Sequence, residues 1–206
     1  MNLAVADDTH STTQHVARSR NNQAILGAAR PDRQTPLMPH RPRPPLGAPL
    51  LVPDQTAPEL DVTRWFNTDH PLTIEGCRGR VVVLHAFQML CPGCVLHGLP
   101  QAQKIHALFD NRDVEVIGVH TVFEHHSSMP ADALKDFLYE FRFTFPIAVD
   151  RAEPNRPMPA TMSAYALRGT PSLVMIDRRG IVRHHSLGQE DDMAVGAAIA
   201  HLVAER

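Results

Sequence analysis

Cysteine is scarce in this chain of 206 residues: there are three, too few for a disulfide framework. Neither sign of charge prevails, since 20 Lys+Arg against 22 Asp+Glu leave a formal charge of −2. Phosphate binding usually needs a basic excess or stripe, so a global nucleic-acid footprint is not expected. No apolar run approaches the roughly 18 residues that cross a bilayer, so no transmembrane segment is expected. The first twenty residues hold two aspartates and no apolar stretch, and do not read as a signal peptide. On that basis the protein is placed in the cytoplasm, with a periplasmic or membrane-associated location as the alternative. Aromatic residues make up 5% of the chain, and no internal repeat is visible.

Proline is plentiful, and its position matters. Nine of 18 prolines lie between Pro31 and Pro58, around Pro39-His40-Arg41-Pro42-Arg43-Pro44-Pro45. Proline lacks a backbone donor and has a fixed φ, so helix interiors and central strands are excluded there. Residues 1–58 also carry six Arg, four Asp and few large apolar side chains. Such a segment buries too little surface to offset its ordering entropy. It is expected to be a disordered arm with polyproline character.

Residues 59–206 are long enough for a core. Val81 to Phe87 reads as a strand buried on both faces. Pro92 to about Asp110 reads as a helix, with Leu96, Leu99, Ile105 and Leu108 as its buried stripe. Val114 to His120 is a second strand. Pro130 to about Phe141 is a second helix, with Leu134, Phe137, Leu138 and Phe141 at helical spacing. Phe145 to Val149 is a third strand, and Ala160 to Leu167 a short helix. Ser172–Asp177 and Ile181–His184 flank Arg178-Arg179-Gly180 as a hairpin. A last helix spans about Asp191 to Ala204. Strands alternating with helices, then a hairpin, argue an α/β fold with a mixed sheet covered on both faces.

The chemistry concentrates at Cys91-Pro92-Gly93-Cys94, between a buried strand and a helix. In that setting a Cys-x-x-Cys is a redox signature. Unpaired backbone donors and the helix dipole favour a thiolate at Cys91. The two-residue spacer keeps Cys94 within disulfide reach as the resolving thiol. Pro92 loses little by lacking a donor at the first helical position. Two buried structural cysteines, or half a zinc site, are the alternatives.

These residues, with Gly169-Thr170-Pro171-Ser172-Leu173 ahead of a hairpin, resemble the thioredoxin fold. The lead-in Arg78-Gly79-Arg80-Val81-Val82-Val83-Leu84 resembles the redoxin branch, which includes TlpA-like thiol–disulfide oxidoreductases and AhpC/TSA peroxiredoxins. The resemblance covers most of residues 60–206. It implies a three-layer α/β/α sandwich with a mixed central sheet, and a cis Thr170–Pro171 bond facing the cysteine pair. Thr170 would then offer backbone atoms to a bound substrate strand. The family often places a buried acid six residues before the first cysteine. His85 stands there, either as proton acceptor for Cys94 or as a packed core histidine. The family's tryptophan before the first cysteine is replaced by Leu90, and Pro100 would kink the helix.

The resemblance implies a thiol–disulfide oxidoreductase using Cys91 and Cys94, with Pro92, Gly93 and His85 in support and Thr170 and Pro171 toward substrate. It requires no bound cofactor. Its partners would be protein disulfides or dithiols, and a reducing partner such as a reductase or small thiol. A peroxiredoxin-like peroxidase working through Cys91 is an alternative, although Leu84 and Gln88 stand where its proline and threonine belong and Arg168 is a weak substitute for its arginine. A non-catalytic or zinc-binding module is another. Thirteen histidines, several near Glu124 (His120, His125, His126), and His97 beside the cysteines invite a metal, but no complete ligand set is legible and none is expected. His184-His185 reads as surface, Cys77 as a lone packed cysteine, and Trp65-Phe66 as a packing anchor.

Overall fold

Val81–Phe87 is apolar at six of seven positions and buried at all seven, as a strand packed on both faces must be. It forms the centre of a sheet in the computed structural model, which describes residues 55–205. The strands are β1 (Val62–Phe66), β2 (Val81–Phe87), β3 (Val114–His120), β4 (Ile147–Asp150), β5 (Ser172–Ile176) and β6 (Val182–Leu187). Their order is β1-β4-β3-β2-β5-β6. β3 runs parallel to both β2 and β4, whereas β1 joins β4 antiparallel, β5 joins β2 antiparallel and β6 joins β5 antiparallel. The α-helices are α1 (Leu99–Leu108), α2 (Ala131–Phe141), α3 (Ala160–Ala164) and α4 (Asp192–Ala204).

Alternation along the strands sorts the core into two layers. Val81, Val83 and Phe87 of β2 pack with Leu99, Ala102 and Ile105 of α1, Leu134 and Leu138 of α2, and Val195, Ile199 and Leu202 of α4. Val82, Leu84 and Ala86 face the opposite layer, with Met162 of α3, Tyr165, Ile74 and Cys77. The expected sandwich is therefore present, but its faces are unequal: three helices cover one and a single short helix with extended chain the other. Asp150 fixes that short helix, accepting from the amides of Thr161 at 2.7 Å and Met162 at 2.9 Å.

Several boundaries differ from expectation. The disordered arm lies outside the described residues except for its last four. Those belong to the domain: Val182 N–H donates to Gln55 O at 3.0 Å and Ala57 N–H to Gly180 O at 2.8 Å. β1, read only as an anchor at Trp65-Phe66, is an edge strand of five residues, none of them buried and only Val62, Trp65 and Phe66 apolar, and so it left no clear period. Leu96 and Leu108 are exposed, not part of the helix stripe. The stripe is Leu99, Ala102 and Ile105, because the helix changes pitch before Leu99. Cys94–Gly98 is a π-helical turn, closed by Leu99 N–H onto Cys94 O. Pro100 has no N–H for the carbonyl of Leu96, so the regular ladder cannot run through this point. The kink expected of Pro100 thus takes the form of a widened turn. Phe141 is half-exposed and stacks on Phe143, 5.9 Å between centroids.

Gly118 on β3 is a point of close approach. An added Cβ would collide with Ile147 and come within 3.0 Å of Phe145 and 3.3 Å of Phe87. Gly118→Ala is therefore expected to lower stability by about 2 kcal/mol through overpacking, measured as a lower urea midpoint at unchanged slope.

Candidate active site

β2 ends at Phe87, and the chain turns through Gln88–Leu90 into the cysteine pair. Cys91 precedes the first helical residue, Pro92, so Pro92 occupies the position where a missing donor costs least. Cys91 and Cys94 are joined as a disulfide with Cα atoms 5.2 Å apart. The Cys94 amide points at Cys91 Sγ, donating across 3.2 Å. This is one of the free donors of a helix start, and it stabilises negative charge on that sulfur when the pair is reduced. The two sulfurs differ in access: Cys91 is partly exposed, whereas Cys94 is fully buried. Reagents in solvent therefore meet Cys91 first.

Thr170–Pro171 is a cis peptide bond, and it faces the cysteines as the family resemblance implied. Thr170 O lies 3.5 Å from Cys91 Sγ. Two glycines allow this approach. A Cβ at Gly93 would stand 3.2 Å from Pro171 Cδ, and one at Gly98 would stand 3.0 Å from Pro171 Cβ. Pro171 O in turn accepts from Gly188 N–H at 2.8 Å, which ties the loop after β6 to the same place. Leu90, Leu96 and Leu187 are exposed apolar side chains. Leu90 adjoins Cys91, Leu96 lies on the π-helical turn, and Leu187 packs within 3.3 Å of a Cβ built on Gly169.

His85 shares the β2 face of Val83 and Phe87, beneath the turn that carries Cys94. Its ring atoms Cε1 and Nδ1 lie 3.4 Å from a Cβ built on Gly98. It is 2% exposed, and neither ring nitrogen has a hydrogen-bond partner. Burial drives its pKa from 6.5 down to about 4, opposed by nearby Gln101 and by the charge of Glu190. The Gln101 amide nitrogen itself is committed to Glu190 O and Asp192 Oδ1. At neutral pH His85 is therefore uncharged, beneath the turn that carries Cys94.

Other singled-out residues do not assemble. His120 is buried beside Phe87, 5.2 Å between centroids, while Glu124, His125 and His126 are exposed. Among the described residues no group of three or more His, Cys, Asp or Glu is placed to hold a metal ion. Gln88, where the peroxidase pattern has threonine, is buried and engaged: Phe123 N–H donates to its Oε1 and its amide donates to Glu124. Arg168 is exposed. Cys77 is buried and accepts from Arg80 at 3.3 Å; burial holds its thiol above its usual pKa. His184 corrects the surface reading, since it is half-buried and its Nε2 lies 2.7 Å from Glu190 Oε1. Glu190 and Gln101 were not singled out from sequence, and no spacing signal marks them.

Residues 53–199 match the protein-family profile described as Redoxin. The crystal structure of a thioredoxin-like superfamily protein is 50% identical, with TM-score 0.71 over 73% of this chain and 97% of that one. A thiol-disulfide isomerase from Corynebacterium glutamicum is 49% identical, with TM-score 0.69 over 73% of this chain and 98% of that one. Protein DipZ of Mycobacterium tuberculosis is 30% identical over 148 residues, 70% of this chain, but the chain spans only 20% of DipZ. Thiol-disulfide oxidoreductase ResA of Geobacillus thermodenitrificans is 25% identical over 62% of this chain and 65% of ResA. Among the described residues no helix is long and apolar enough to cross a membrane.

The two buried, unpartnered histidines set a pH dependence. Burial lowers the pKa of each from 6.5 to about 4. Above about pH 6.5 both are neutral in the folded and the unfolded chain. As pH falls toward 4 the unfolded chain takes up protons that the fold refuses, so stability is lost across that window. The loss is up to roughly 3 kcal/mol per histidine. Urea midpoints at pH 7.5 and 4.5 measure it, and His120→Leu should remove about half the difference.

Proposed function

The chain belongs to the Redoxin family, and on that premise we propose that it is a thiol–disulfide oxidoreductase acting on protein disulfides and dithiols through Cys91 and Cys94. The observation that carries the reading is the asymmetry of the pair. Cys91 is accessible and receives the Cys94 amide, while Cys94 is enclosed on a turn whose Gly98 lies over a neutral imidazole.

In the reducing direction the Cys91 thiolate attacks one sulfur of a partner disulfide. That bond breaks, a Cys91–partner mixed disulfide forms, and the first partner thiolate leaves. Cys94 then passes its proton to His85 and attacks Cys91 Sγ. The second partner thiolate departs and takes a proton from solvent. Two electrons have moved to the partner, and Cys91–Cys94 is oxidised. A reducing partner, either a dithiol reductase or a small thiol, restores the dithiol. Run backwards, the same steps donate a disulfide. Placement in the cytoplasm, where thiols are kept reduced, would favour reduction of the partner.

Thr170 presents its carbonyl beside Cys91, and an extended substrate segment would pair with that backbone. Leu90 and Leu187 would offer it apolar contact in place of a tryptophan. Peroxidase chemistry lacks support here, because Gln88 is committed to Phe123 and Glu124 instead of facing a peroxide.

The reduced protein should release two equivalents of chromophore from the aromatic disulfide DTNB: a first as Cys91 attacks, a second as Cys94 resolves. Cys91→Ser should lose both releases, and Cys94→Ser only the second. Cys94→Ser should also accumulate mixed disulfides with protein substrates. Rapid, Cys91-dependent consumption of hydrogen peroxide, or stoichiometric zinc in protein purified without chelator, would overturn the reading. His85→Leu is expected to slow the second release about a hundredfold near pH 7 and to leave the first unchanged.

A further inference from the structure

Cys94 is fully buried and so is His85, yet a proton taken from one by the other must reach solvent before the next cycle. A cleft of about 300 Å³ opens beside His85, between the start of α1 and the loop 188–192. His97, Gln101 and Lys104 line one wall, and Glu190, Asp191 and Asp192 the other. Gly98, on the turn that carries Cys94, also lines the cleft and packs against Pro171. His85 is thus a buried base, without a hydrogen-bond partner of its own, facing a polar opening.

Glu190 is the acid most firmly placed there. Although burial opposes its ionisation, bonds from His184 and Ser186 outweigh that and hold its carboxyl below the usual range. Its backbone carbonyl accepts from Gln101 at 3.0 Å, so α1 and the loop are clamped at this residue. The loop is also anchored at Pro171 by Gly188. The other acids of the cleft are less enclosed. Asp191 is occupied in capping α4, accepting from Met193 and Ala194, and Asp192 is bound by Lys104 and Gln101.

We propose that this cleft is the proton path of the resolving step, with Glu190 as a positioning residue that exchanges protons between His85 and solvent. In resolution the Cys94 proton passes to His85, and Cys94 sulfur forms its bond to Cys91 as the Cys91–partner bond breaks. The imidazolium hands its proton through the cleft to the Glu190 carboxylate as the Cys94 thiolate attacks, so that the proton does not return to sulfur, and Glu190 releases it to bulk water. No oxidant or reductant beyond the partner disulfide is consumed. The negative charge of Glu190 also favours the transient imidazolium. The path rests on the proposed role of His85, and the experiment separates the two.

The two chromophore releases from DTNB are followed in stopped flow with the full chain, from pH 5.5 to 8.5. Glu190→Gln is expected to slow the second release about tenfold with the first unchanged. Glu190→Asp should restore most of the rate. Imidazole buffer, small enough for the cleft, should accelerate the second release of Glu190→Gln in proportion to its concentration, which loss of a merely structural bond would not produce. A second release unaffected by Glu190→Gln, or slowed but indifferent to imidazole, overturns the proton path. His85→Leu, with His85→Asn as the alternative should the first fail to fold, tests the underlying reading. If those variants resolve at the wild-type rate, the role of His85 fails. If they are slow while Glu190→Gln is not, only the path fails. Should Glu190→Gln not fold, as judged by its urea transition, imidazole acceleration of Glu190→Ala takes its place.

Discussion

The reactive edge of this protein depends on the seat of Pro171 against two glycines. Gly93 and Gly98 present bare backbone, so the proline ring lies directly on the helix start that carries the cysteines. Cβ atoms there would stand 3.2 and 3.0 Å from the ring, closer than side chains normally pack without displacement. From this contact three consequences follow. Thr170 O is delivered to Cys91 Sγ. Pro171 O is left pointing at Gly188 N–H, which draws the loop after β6 inward. Gly98 is held against His85, which lines the cleft it shares with the loop that Gly188 begins.

The π-helical turn belongs to the same construction. A regular α-helix from Pro92 onward would carry one continuous buried stripe. Pro100 interrupts the ladder, and the chain accommodates it by closing Leu99 N–H onto Cys94 O. The widened turn carries Cys94 and Gly98 inward and leaves Leu96 and His97 facing solvent. Such turns are uncommon and concentrate at functional sites. Here the turn separates a buried sulfur from an exposed apolar rim within five residues.

Electrostatics divides the labour between the two cysteines. Cys91 has a backbone donor and solvent, both of which favour its thiolate. Cys94 has neither, and the turn that carries it lies over an imidazole kept uncharged by burial. A charged partner at position 85 would hold a fixed charge beneath that turn. Histidine can instead accept a proton transiently and give it up again, provided that a polar exit exists. The cleft that His85 lines is polar, and Glu190, held by His184 and Ser186, forms part of its wall.

How much was legible without the fold follows the range of the interactions. Strands β2 and β3 were read to the residue, since each is a fully buried β-branched run with no competing period. The Cys-x-x-Cys site was equally plain, because its chemistry depends on local spacing and on one helix start. Thr170 and Pro171 required a family resemblance, as nothing in their composition points across some eighty residues to Cys91. β1 escaped because an edge strand needs apolar residues on only part of its surface. Leu96 was misassigned because Pro100 changes the helical pitch, a change no fixed period anticipates. Glu190, Gln101 and the orphaned nitrogens of His85 were beyond reach. Their meaning lies in which groups face one cleft, and that is decided by the packing of α1 against the loop after β6, between residues far apart along the chain.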